Sequence, residues 1–110
     1  MNNKWKVVFF ESNRKEKPVE YFFQKQQLSA QTKMLHLFEL LEVYGSQLGM
    51  PHAKQLGLGI YELRIRGKDE IRIFYGFKQK TIYLLHAFKK QTQKTPRKEL
   101  DIALKRLTEI

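Results

Sequence analysis

The sequence has no cysteine, which excludes a disulfide framework, a thiolate metal site and a cysteine nucleophile. It also lacks a run of about 18 apolar residues, so no membrane-spanning helix and no membrane partner are expected. The apolar stretch near the start, Val7 to Phe10, covers four residues. That is too short for the core of a signal peptide, and a cytoplasmic location follows as the simplest expectation. No His/Glu/Asp spacing matches a metal site. "GLG" at 57 to 59 is too short for a phosphate loop and precedes a strand instead of a helix. Neither a metal nor a nucleotide cofactor is therefore expected. Repeats and low-complexity segments are absent too. Acidic residues are scarce: eleven Asp+Glu stand against twenty-one Lys+Arg, for a net charge of +10.

What is present points to one domain over residues 1 to 110 with a core of its own. Hydrophobic residues make up 42% of the chain and aromatics 13%, enough apolar surface to drive folding and to argue against disorder. So strong a basic excess on one small domain implies a polyanionic partner, most simply nucleic acid or a ribonucleoprotein.

In "KWKVVFFES" a β-branched and aromatic run is bounded by charge, and residues 4 to 11 read as a strand. Pro18 opens a helix at its first turn, where a missing N–H costs nothing, and Val19, Phe22 and Phe23 carry helical spacing to about Gln27. Ser29 is a candidate N-cap for a second helix. Its apolar stripe is Leu35, Phe38 and Leu41, joined by Leu37, Leu40 and Tyr44, and Gly45 ends it. Residues 45 to 59 read as a loop from their glycine and proline content. The period then changes to two. "IYELRIR" and "EIRIFYGF" flank a "GKD" turn, "KQK" makes another turn, and "TIYLLHAF" is apolar on both faces like an interior strand. Pro96 starts a last helix with Leu100, Ala103, Leu104 and Leu107 on one stripe. The expected order is β-α-α-β-β-β-α, an α+β domain with an antiparallel twisted sheet and helices on one face.

Strand register carries the functional argument. With "GKD" as a three-residue loop, Arg66 pairs with Glu70 and Arg64 faces Arg72. With "KQK" as another, Phe77 pairs with Thr81, Phe74 faces Leu84 and Arg72 faces His86. Arg64, Arg72 and His86 then form one row across three strands. Like charges directly opposite one another destabilise a sheet, so the row suits an anion site in which guanidinium groups grip a phosphate. The ordinary alternative is that Glu62 or Glu70 pairs with these arginines in a surface network of small energetic weight. A lone histidine in an apolar strand is more often structural; Arg72 nearby, and Lys89 and Lys90 on the same strand, shift that balance. His52 and Lys54 precede the sheet and could reach over its rim.

The segment "PHAKQLGLGIYELRIRGKDEIRIFYGFKQKTIYLLHAFKKQTQKTP", residues 51 to 96, resembles the phage-derived, HigB-like branch of the RelE/ParE toxin superfamily. The resemblance implies a RelE-like, microbial-RNase-type fold and the toxin of a type II toxin–antitoxin system. Such a toxin is a metal-independent mRNA interferase that enters the ribosomal A site and cleaves mRNA there. By the same analogy the catalytic residues are Lys54, Arg64, Arg72 and His86. His52, Phe88, Lys89, Lys90 and Lys94 bind RNA, and the cognate antitoxin is a small helix-turn-helix protein.

Cleavage by a 2′-hydroxyl requires a base, cations for the phosphorane and an acid for the 5′-oxygen. A histidine, with an ordinary pKa near 6.5, fits either proton-transfer role, and two adjacent arginines favour its neutral, basic form. Lys54 is the rival base, a role open to a lysine only where neighbouring cations favour the neutral amine. Glu62 is the one carboxylate expected on the same face, and Phe88 is placed to stack an exposed base. Two other readings stay open: a ParE-like toxin that poisons DNA gyrase by binding, and a non-catalytic basic RNA-binding phage accessory protein.

Overall fold

The computed structural model describes residues 4–110. Strand β1 is Lys6–Phe9; helices α1, Pro18–Gln24, and α2, Leu28–Tyr44, follow. A single 3₁₀ turn at Gly45–Gln47 leads to four further strands: β2 (Ala53–Gly57), β3 (Ile60–Ile65), β4 (Ile71–Lys78) and β5 (Thr81–Lys89). Helix α3, Arg97–Leu107, closes the chain. The strands form one five-stranded sheet in the order β1-β5-β4-β3-β2. Among the described residues, no helix is long and apolar enough to cross a membrane.

Helix ends follow local chemistry. Pro18 occupies the first turn of α1, with Glu20 beside it at the positive end of the helix dipole. Helix α2 begins two residues before the expected cap: Gln27 is its N-cap and Ser29 lies inside. Gly45 ends it at φ 52, a left-handed conformation that costs a Cβ-bearing residue energy, with its N–H donating to Leu41 O.

Two expectations about the sheet fail. It is mixed instead of wholly antiparallel, because β1 runs parallel to β5, Lys6 opposite Thr81 and Phe9 opposite Leu84. Helices also cover both faces instead of one. Val19 of α1 and Met34, Leu37, Phe38 and Leu41 of α2 pack on Leu63, Ile65, Ile71, Ile73, Ile82 and Leu84. On the opposite face Ala103 of α3, flanked by Leu100, Leu104 and Leu107, packs on Phe10, Ile60, Phe74, Leu85 and Phe88. The reason lies in β5 itself. A strand apolar on both faces leaves half its side chains in water unless both are covered, at about 1.5–3 kcal/mol for each large side chain. Leu35 and Tyr44, expected in the α2 stripe, are exposed, while Met34 is fully buried.

A third difference is β2, which runs through the expected loop. It pairs antiparallel with β3, placing Lys54 opposite Glu62 and Ala53 opposite Leu63. The β3–β4 register is the expected one, with Arg64 opposite Arg72. The β4–β5 register is not. Its turn is two residues long, with Lys78 opposite Thr81 and Gln79 at φ 56. A bulge then shifts the ladder between Tyr75 and Phe74. His86 therefore faces Phe74, and Arg72 faces Phe88. The extra residue in β5 leaves Leu85 packed in the α3-side core and lets His86 next to it also reach α3.

Candidate nucleic-acid interface

The face of the sheet under α3 gathers the charged residues of β3 and β4. Alternation along each strand sends Glu62, Arg64 and Arg72 to that side, and the register sets the two arginines directly opposite each other. Glu62 lies between them. Arg64 Nε donates to Glu62 Oε1 at 3.1 Å, and Arg72 Nε stands 3.6 Å from Glu62 Oε2. The second contact is an ion pair too long to be a hydrogen bond; both of its atoms are buried and lack a hydrogen-bond partner. Glu70 bridges outward, 3.7 Å from Arg72 and 3.4 Å from Arg66. Three arginines thus share two carboxylates, and the cluster keeps a positive excess. The centre of the network is interior, with Glu62 1% exposed and Arg72 4%. Arg64 is largely covered, its side chain 15% exposed, while Arg66 and Glu70 form the open end.

His86 sits one step along β5 and is held by α3. Its Nε2 lies 2.6 Å from Glu99 Oε1, and Arg106 Nη1 lies 3.3 Å from its Nδ1. Arg106 can only donate, so Nδ1 accepts and Nε2–H donates to the Glu99 carboxylate. Arg106 is fixed in turn by donating to Leu85 O at 2.8 Å. Burial is the largest influence on the imidazole and lowers its pKa; Glu99 opposes this and Arg106 adds to it. The direction is the expected one, but burial is its main cause, and the cation that adds to it is Arg106 instead of the arginine pair. Neither Glu99 nor Arg106 stood out in the sequence. Their one available signal was spacing, since residues seven apart fall on one helical face. That signal acquires meaning only once α3 is known to cover this side of the sheet.

The remaining expected residues divide. Lys54 is exposed on β2 opposite Glu62, on the Arg64 side of the sheet. His52 is half-buried just before β2, its carbonyl accepting from Arg64 N at 2.8 Å. Phe88 is on the expected face but buried. Its ring meets Phe74 edge-on with centroids at 5.2 Å and stacks on His86 at 5.6 Å, so it offers no free face to a base. Lys89 is opposite Ile71, a residue of the helix-side core; its Nζ is 3.3 Å from Asp69 Oδ2, on the side away from His86. Lys90 is half-buried, its N–H donating to Glu70 O at 2.7 Å. Lys94 is exposed in the loop between β5 and α3. The expected row therefore becomes two adjacent rows. One runs Lys54–Glu62–Phe74–His86, and the next holds Arg64–Arg72–Phe88.

Fold and site together define a basic α+β protein with a buried, cation-rich cluster on one face of its sheet. A profile of the family described as "Phage derived protein Gp49-like (DUF891)" matches residues 21–108. The chain belongs to this phage-derived family, a RelE-like toxin family of toxin–antitoxin systems. No curated protein matches it.

Proposed function

We propose that this chain is the toxin of a type II toxin–antitoxin system, of the HigB-like branch, and cleaves mRNA in the ribosomal A site. The observation that carries the reading is Arg64 standing directly opposite Arg72, with one carboxylate between them, in a cluster of three arginines and two glutamates. Opposed like charges and an unsatisfied buried N–H both cost stability. A scissile phosphate meeting Arg64 and Lys54 supplies the missing anion. Arg72 lies behind Glu62 and acts through it, holding the carboxylate that aims Arg64.

In the reaction the ribose 2′-oxygen bonds to phosphorus and the bond to the 5′-oxygen breaks. The 2′-proton passes to a base, and the 5′-oxygen takes a proton as it leaves as a hydroxyl. His86 becomes a base only when Nδ1 is freed. An incoming phosphate that draws Arg106 toward itself would both uncover Nδ1 and add a cation at the transition state, while Glu99 steadies the imidazolium that forms. Lys54 remains the alternative base. So dispersed a site relies on the ribosome to orient the RNA. The partner that restrains it is a small helix-turn-helix antitoxin.

Induced expression tests the reading. His86→Gln and Arg64→Ala are each expected to relieve growth arrest while the proteins stay folded, although Arg64→Ala, which strips buried Glu62 of a partner, melts below wild type. Unchanged toxicity in both variants removes the site assignment. Cuts in mRNA are expected only with translating ribosomes; equal cutting of naked RNA contradicts the ribosome-dependent mechanism. One observation favours a second reading, non-catalytic RNA binding: both ring nitrogens of His86 are already engaged. RNA binding without cleavage on any substrate would select it.

A further inference from the structure

A cleft of about 420 Å³ opens between α2, the turn before β2 and the end of β3, on the α2 side of the sheet. Leu37, Pro51 and Ile65 give it apolar walls, and His36, His52 and Arg64 stand around them. Next to it lies a second, smaller cleft of about 210 Å³ lined by Lys25, Lys68 and Lys89. Lys33 and Arg66 belong to both. They form the shared wall, with Lys33 Nζ donating to Arg66 O at 3.0 Å.

We infer that the two clefts are one track for single-stranded RNA, in which an unstacked base enters the apolar slot and the adjoining backbone crosses into the basic cleft. The inference rests on the reading that the chain acts on RNA, and it adds where the strand lies and what reads the base. The slot has the size of a small-molecule site. Its composition matches a nucleobase, whose faces are apolar and whose edges carry donors and acceptors. Imidazole and guanidinium planes stack on such faces, and the two histidines can bond the edge. The neighbouring cleft supplies the opposite requirement, lysines for phosphates. A duplex does not fit, because its bases are already stacked on one another. Arg64 marks where track and charged cluster come closest: it is among the residues lining the slot, while its side chain turns to Glu62 on the α3 side of the sheet.

The test uses the full chain and two labelled oligoribonucleotides of equal length, one intact and one an abasic ribose-phosphate backbone, with affinities read by fluorescence anisotropy. Wild type is expected to bind the intact strand at least tenfold more tightly. His36→Ala and His52→Ala should each erode that difference while leaving abasic affinity unchanged. Lys25→Ala and Lys68→Ala should weaken both strands alike, each lowering the salt slope by about 0.7. Equal binding of intact and abasic RNA by wild type, or no binding of either, overturns the track. So does an undiminished preference for intact RNA in both histidine variants. Cleavage is scored separately on translating ribosomes. Cleavage with equal binding sinks the track alone, and base-dependent binding without cleavage sinks the catalytic reading alone.

Discussion

Replacing Glu62 by glutamine keeps the side chain's shape and removes its charge, which isolates the electrostatics of the cluster. The carboxylate contacts Arg64 at 3.1 Å and Arg72 at 3.6 Å. At an effective dielectric constant of about 20, each contact is worth roughly 5 kcal/mol of attraction. Desolvating the carboxylate offsets several kcal/mol of that sum. Removing one partner of a buried ion pair costs about 3–5 kcal/mol net, because the charges left behind stay buried and unpaired. With an unfolding entropy of about 2.1 cal/mol/K per residue, this lowers the melting temperature of a chain this size by roughly 13–22 °C. Differential scanning fluorimetry at pH 7 measures it directly. The same experiment probes anion recognition. Inorganic phosphate, compared with chloride at matched ionic strength, should restore more of the melting temperature in Glu62→Gln than in wild type, since an anion held at Arg64 supplies the negative charge that the substitution removes. A loss under about 4 °C, roughly 1 kcal/mol, would show that the cluster is screened by water and refute the buried-charge argument. A large loss with no selective rescue by phosphate would refute the anion site while leaving the electrostatics intact.

The depressed pKa of His86 makes a second prediction with a definite sign. Between pH 6.5 and the lower folded-state value the unfolded chain binds a proton that the folded chain does not. Stability therefore falls as pH drops through that window, at up to about 1.4 kcal/mol per pH unit. Urea denaturation of wild type and His86→Gln between pH 7.5 and 5 should show the steeper decline in wild type, and parallel curves would contradict it. Gly45→Ala should destabilise by about 3 kcal/mol in the same assay. The new methyl would overlap the Trp5 ring, and the position holds a left-handed φ of 52; a loss under 1 kcal/mol would mean that Trp5 swings clear.

The β3–β4 hairpin was the most legible part of the chain. Strict alternation in "IYELRIR" and "EIRIF" leaves a single register that buries Leu63, Ile65, Ile71 and Ile73 together, and this fixes Arg64 opposite Arg72. The last helix was legible for the same reason, its four apolar residues sharing one stripe. Strand β2 was not. Its sequence, AKQLG, is mostly polar because it pairs with β3 alone and buries only Ala53 completely. The bulge at Leu85 left no local mark, since both neighbours in "LLHAF" accept either face. That single inserted residue displaced His86 from Arg72 and handed it to α3. The site was thus half readable: the arginine pair followed from periodicity, whereas the histidine's partners depended on which face a distant helix covers.

The parallel pairing of β1 with β5 has a consequence for biosynthesis. Lys6 is synthesised well before the strand it joins, which begins at Thr81. Until that late segment has left the exit tunnel, the sheet lacks the strand that joins β1 to β4, and α3, which grips His86, comes later still. A polypeptide interrupted before Thr81 is therefore left without a completed sheet. The cell meets a competent molecule only after α3 has been made, which leaves an interval for a waiting partner to capture the chain as it closes.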